Sequence, residues 1–264
     1  MTFPIIGMMD IWAFLQVLAR VASLVAIAPV FGAKQTPNMV KVGLAFVLSI
    51  VITPIAMPSL RAAGMPTTVY GMVAPLAGHV IVGLMMGFVA SLVILAVELG
   101  GSLLDTQVGF SMAQTFNPAL GELAAPLTQF QSMYALLLFL LAHGHYIVIA
   151  AVANSFAILP ALDINFGTGS FLTMVGDLTF GVLVNGLKIA APAGAILLVI
   201  DFTLALLARA VPQMNVFYVG MPLKVIAGLT LVAAILPLFA IFVGHMVADM
   251  PSDLTRMMEG LRHT

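Results

Sequence analysis

MVAPLAGHVIVGLMMGFVASLVILAV, residues 72–97, contains no charged residue. About 20 consecutive apolar residues let a helix cross the hydrocarbon core of a bilayer, so this run reads as a membrane-length helix. Gly83, Gly87 and Ser91 recur inside it at four-residue spacing, which places them on one helical face. Such ladders let helix backbones approach closely, the main source of helix association where apolarity alone gives little. Five more apolar runs lie at roughly 12–31, 40–57, 127–150, 178–208 and 225–247. A second ladder, Gly186, Ala190 and Gly194, lies in the fifth of the six. The breaks between runs are TPN at 36–38, PSLRAAGMP at 58–66, GFSMAQTFNPALGE at 109–122, DINFGTGS at 163–170 and VPQMN at 211–215. The expected fold is all-α: a hydrophobic helical membrane-complex protein built of helical hairpins.

Composition agrees. Of 264 residues, 62% are hydrophobic and 7% charged, with a mean hydropathy of +1.18. Soluble domains average about 25% charged residues, so an ordinary water-soluble globule is excluded. The chain sits in a membrane or buries nearly all its surface in partners. A net charge of −1 gives no reason to expect nucleic acid. With no cysteine, a disulfide framework, a thiolate zinc site and a cysteine nucleophile are all excluded. No basic residue precedes Arg20, and Asp10 stands ahead of the first run; a secretory signal wants the opposite, so this segment is expected to belong to the mature protein.

Two features resist a simple bundle of spans. Pro29, Pro54, Pro75, Pro126, Pro192 and Pro237 interrupt or edge the runs, and each is expected to kink or end a helix. Basic residues give no orientation either. With the N-terminus outside, Lys34, Lys41, Arg209 and Lys224 fall inside against Arg61, Arg256 and Arg262 outside, a bias too small to use. These segments are expected not to be conventional lipid-facing spans.

Arg20, Glu98, Lys188 and Asp201 carry charge within or at the ends of apolar runs, where ionisable groups are expensive and pair with polar partners. Lys188 and Asp201 stand about 20 Å apart along a straight helix, so each needs another partner, on a neighbouring helix or subunit. Glu98, Ser102 and Asp105 share one helical face, a polar stripe leading into GFSMAQTFNPALGE. In that segment Met112 lies between Phe110 and Phe116, flexible apolar side chains on a Gly-containing loop that could close a pore yet yield to a moving chain. His143 and His145 resemble a metal fragment, with His79 and His245 elsewhere, but residues at i and i+2 face opposite ways on a helix and no carboxylate is near in sequence. No phosphate loop, HExxH or GxSxG is present. Neither an enzyme, a cofactor nor a metal is expected. Besides a pore component, the residues leave open a small secondary transporter using Glu98, Asp105, Lys188 and Asp201, and well below it an intramembrane enzyme using the histidines.

The run RVASLVAIAPVFGAKQTPNMVKVGLAF (20–46) resembles the N-terminal signature of the FliR family of type III export-gate subunits. The resemblance continues in LGGSLLDTQVGFSMAQTFNPALGE (99–122), in LTQFQSMYALLLFLLAHGHYIVIAAVANSFAILP (127–160) with its G-H turn and S-F-x-x-L-P ending, and in 186–229 with Q-x-N and M-P-L-K elements. It implies a FliP-like helical region at 1–177 with a plug loop near 106–122, a FliQ-like hairpin at 178–247, and a short tail at 248–264. It further implies one copy per export gate, assembled with FliP-, FliQ- and FlhB-like subunits. The assembly stands in the bacterial inner membrane at the flagellar basal body, displaced toward the periplasm, and passes unfolded flagellar proteins. The virulence secretion systems hold an equivalent subunit. Carried onto this chain, the plug maps to Gly109, Phe110, Ser111, Met112 and Phe116, with Met112 where the family often has an aromatic. Gly83, Gly87, Gly186, Ala190 and Gly194 are expected to pack helices. Arg20, Lys188, Asp201 and Lys224 are expected to make inter-subunit polar contacts, Lys224 with a neighbouring subunit or the FlhB-like partner.

Overall fold

A computed structural model of the chain describes residues 7–33, 36–110, 125–159, 169–213 and 215–261, the side chains of 169–171 and 216–217 excepted. Among the described residues there are seven helices and no strand: α1 (Met8–Ile27), α2 (Asn38–Ala63), α3 (Val69–Val108), α4 (Pro126–Leu141), α5 (Gly144–Ile158), α6 (Gly169–Ala210) and α7 (Val216–Leu261). Five are long and apolar enough to cross a membrane, with a sixth if α4 and α5 form one broken span.

The helix ends follow local chemistry. At the start of α1 the Gly7 amide donates to the Asp10 carboxylate at 3.0 Å, one half of a capping box. α2 stops at Gly64 and α3 at Gly109, whose φ values of 76° and 100° suit glycine. Pro126 occupies the first position of α4, where its missing N–H is no loss. The run at 127–150 is divided because His143 takes a left-handed φ of 60°.

The prolines fall in two groups. Pro29 and Pro126 edge helices, but Pro54, Pro58, Pro75 and Pro192 lie inside continuous ones, and Pro237 lies within α7. In apolar surroundings the backbone has no water to turn to, so a helix carries on past the lost donor.

The chain divides into two compact units. The first comprises residues 1–92, 143–178 and 248–264. In it α1 and α2 form a hairpin, with Phe14 edge-on to Phe46 (5.5 Å) and Arg61 paired with Asp10 (2.7 Å). Its turn places the β-branched Val30 at φ 69°, a costly conformation. The hydroxyl of Thr36 donates to the Val30 carbonyl and the Lys41 ammonium to that of Gly32, which hold the turn shut. The N-terminal half of α3 crosses α1 at its glycines: a Cβ on Gly83 would collide with Ser23 Oγ and the Arg20 carbonyl, and one on Gly87 would come within 3.0 Å of the Leu24 carbonyl. The tail is not a loose end. α7 continues through it to Leu261, burying Met250, Leu254, Met257, Met258 and Leu261.

The second unit comprises residues 93–142 and 179–247. α3 and α6 meet at small residues here too: a Cβ on Gly186 would lie 3.0 Å from the Ala96 carbonyl and 2.8 Å from a Leu99 methyl, while one on Gly194 would press on the Gln107 side chain. Leu104, Val108, Leu127, Ala190, Ala193, Leu197 and Val232 form its core.

Candidate functional site at the α3–α4 junction

The three residues of the polar stripe differ in burial. Glu98 and Ser102 are exposed, and the Ser102 hydroxyl donates to its own helix at Leu99. Asp105 is 3% exposed and turns toward α4. Its Oδ1 accepts the Leu127 amide (3.0 Å); Oδ2 accepts the Thr128 amide (2.9 Å) and the Thr128 hydroxyl (2.6 Å). Its main-chain carbonyl accepts the amides of Gly109 (3.1 Å) and Phe110 (2.9 Å). Gly101 gives α4 room to come this close, since a Cβ there would lie 2.6 Å from the Thr128 Cα. Phe110 is half-buried against the core of its unit. Ser111, Met112 and Phe116 lie outside the described residues. Among the described residues, amide or hydroxyl oxygens on Gln107, Gln131 and Ser132 are buried along these two helices with no hydrogen-bond partner.

The capping role of Asp105 is not visible in the polar stripe that the sequence shows. One signal was available: the run A-P-L-T at 125–128 opens a helix with no Ser, Asp or Asn at the position before it, and a missing cap implies a distant one.

The charged residues are placed as follows. Arg20, 1% exposed, lies inside the first unit. Its Nε and Nη2 approach His79 Nδ1 at 3.1 and 2.8 Å, Nη1 donates to Ser155 Oγ (2.8 Å), Nη2 donates to the Leu159 carbonyl (2.8 Å), and Phe156 lies face-on at 4.1 Å. None of these partners is a carboxylate. Asp201 and Lys224 pair across α6 and α7 at 2.6 Å, half-buried in the second unit. Lys188 is exposed on α6. His79 is thus tied to Arg20; His143, His145 and Tyr146 cluster by their rings at the α5 start, and His245 is exposed on α7. Among the described residues no group of three His, Cys, Asp or Glu could hold a metal.

Among the described residues the junction holds no group of metal ligands, and the Asp105 carboxylate is taken up by the amides and hydroxyl that open α4. What it offers is mechanical: two helix ends held together at the base of a Gly-, Ser- and Asn-containing connection.

Comparison with known proteins gives a consistent result. The family described as bacterial export proteins, family 1, matches residues 11–250. The chain is 32% identical over 234 residues to the flagellar biosynthetic protein FliR of Escherichia coli K12, covering 88% of this chain and 87% of that protein. It is 32% identical over 217 residues to the protein of the same name from Bacillus subtilis 168 (81% and 82% covered), and 29% identical over 233 residues to that of Aquifex aeolicus VF5 (87% of each).

Proposed function

The chain belongs to the bacterial export proteins, family 1, and on that premise we propose that it is a membrane subunit of the flagellar type III export gate. The observation that carries the reading is the extent of the family match, residues 11–250, which takes in part or all of every helix. One copy completes a channel with FliP-like and FliQ-like subunits and meets an FlhB-like one, in the bacterial inner membrane at the flagellar basal body, displaced toward the periplasm. Unfolded flagellar proteins pass through it, and the energy for their passage comes from elsewhere in the apparatus. The subunit binds no cofactor and catalyses no reaction.

Within it, the segment from Gly109 through Phe116 is the plug of the closed channel, with Phe110, Met112 and Phe116 as its apolar side chains. Two facts support that assignment: the two helix ends flanking it are fixed to one another, and Gly109 turns the chain out of α3 at φ 100°. Lys188 and the Asp201–Lys224 pair serve contacts between subunits.

Deleting the gene is expected to abolish motility, and a tagged chain should co-purify with FliP-like and FliQ-like subunits. A chain that purifies as a well-behaved monomer, with motility intact in the deletion strain, defeats the gate reading. Removing residues 110–116 is expected to make the membrane leak small ions while the complex still assembles; unchanged permeability sinks the plug. If Lys188→Ala or Asp201→Asn abolishes function with assembly intact, a transporter fits better.

A further inference from the structure

α4 starts without a cap of its own. Ala125 precedes it, Pro126 takes its first position, and no side chain at the N-cap accepts from the free amides. A serine, threonine or asparagine at 125 would satisfy them locally. The acceptor comes instead from α3, 22 residues earlier in the chain, and it is a buried carboxylate. Taking a carboxylate out of water is costly unless its oxygens are hydrogen-bonded, and a helix N-terminus is one of the few places that favours the charge. All three donors to Asp105 belong to the first turn of α4. Its main-chain carbonyl, meanwhile, closes the last turn of α3. One residue therefore ends the helix that enters the intervening segment and starts the helix that leaves it.

We infer that Asp105 is a positioning residue, a clasp that fixes both ends of the 110–125 connection to one point, beyond its service as a cap. The two ends can part only by breaking these bonds. The backbone contact at Gly101 and Thr128, one turn before Asp105 along α3, keeps the helices at the separation the clasp requires. The inference rests on the plug reading only for its effect on permeability; the clasp itself is read as a distance.

The chain has no cysteine, so Thr106→Cys on α3 and Gln129→Cys on α4, both exposed, accept a pair of spin labels in the full chain in nanodiscs. With Asp105 present, the inter-label distance distribution is expected to be single and narrow. Asp105→Ala should broaden it and shift it to longer distances. The decisive variant combines Asp105→Ala with Ala125→Asp, which gives α4 a local cap without a tie to α3. The distribution should stay broad; a return to the narrow one makes Asp105 a helix cap only and overturns the inference, as does no change in Asp105→Ala. Should Asp105→Ala alone fail to fold, Thr128→Val removes the shortest bond and leaves the carboxylate, and a distribution unmoved by it also overturns the clasp. In cells the double variant is expected to leak ions while assembling. If deletion of 110–116 causes no leak, the plug reading fails and the distance result still stands.

Discussion

Arg20 brings a full charge into the first unit, and its guanidinium meets a ring nitrogen, a hydroxyl, a carbonyl and an aromatic face, drawn from α3, α5 and the residue after α5. Guanidinium suits such a mixed shell because it is planar, delocalised and more weakly hydrated than an ammonium. His79 must present a bare Nδ1 to two of the donors, so its proton sits on Nε2. Arg20→Met leaves the His79 nitrogen and the Leu159 carbonyl buried and unpaired, each at a cost of about 1–3 kcal/mol. Arg20→Lys keeps the charge but cannot fork, and is expected to cost nearly as much. Adding His79→Leu to Arg20→Met removes one orphaned acceptor and should recover part of the loss. The temperature at which the purified full-length chain aggregates in detergent checks all three. If Arg20→Met matches the parent, the network contributes nothing to stability.

At the scale of elements, glycines separate into those that meet a neighbouring backbone and those that face open space. Gly83 is filled on its far side by Ser23 and the Arg20 carbonyl, whereas nothing lies within 4 Å of a Cβ on Gly43. Gly83→Ala forces α1 and α3 apart and should cost on the order of 1–3 kcal/mol. Gly43→Ala should be neutral or stabilise the isolated chain by about 0.5–1 kcal/mol through helix propensity alone; equal effects at the two sites would contradict the packing described here. The same contrast explains what sequence could reveal. Six apolar runs and two small-residue ladders were legible because each is a periodic signal inside one stretch of chain. The extra length of α3, α6 and α7 was not, since a hydropathy window closes at polar residues such as Asp105 or Asp249 while the helix runs past them. Nor could the stripe Glu98, Ser102, Asp105 show that its last member is buried while the other two are exposed: the donors that cover Asp105 lie beyond a loop of no regular pattern. Asp201 was expected to need a partner off its own helix, but that the partner is Lys224 follows only from how α6 folds back along α7.

For the whole molecule the question is what covers so much apolar surface. Within the second unit α6 and α7 each contribute a stretch, 179–210 and 216–247, that is about 48 Å long at 1.5 Å per residue. A bilayer core shields only ~30 Å. Yet exposed large apolar side chains recur along both stretches, from Phe180 and Leu183 through Phe202 to Leu207, and from Tyr218 through Ile226 to Ile241. Lipid alone leaves about a third of each helix with its apolar face in water, a patch larger than a soluble surface tolerates. Partner helices of similar length remove the conflict, as the proposed gate requires. The absence of cysteine makes the alternatives separable. Single cysteines at Phe180, Leu187, Leu198, Phe202, Leu206, Tyr218, Ile226 and Ile241 can be challenged with a water-soluble maleimide, first in the chain alone in membranes and then with FliP-like and FliQ-like subunits co-expressed. In the chain alone, protection should extend over about 20 residues of each helix, the span of the hydrocarbon core. With partners present it should extend to both ends of both stretches, and the residues newly protected should lie on the faces bearing Lys188, Asp201 and Lys224. If the protected length is the same in both preparations, these helices are covered by lipid alone and the subunit assembles through some other surface.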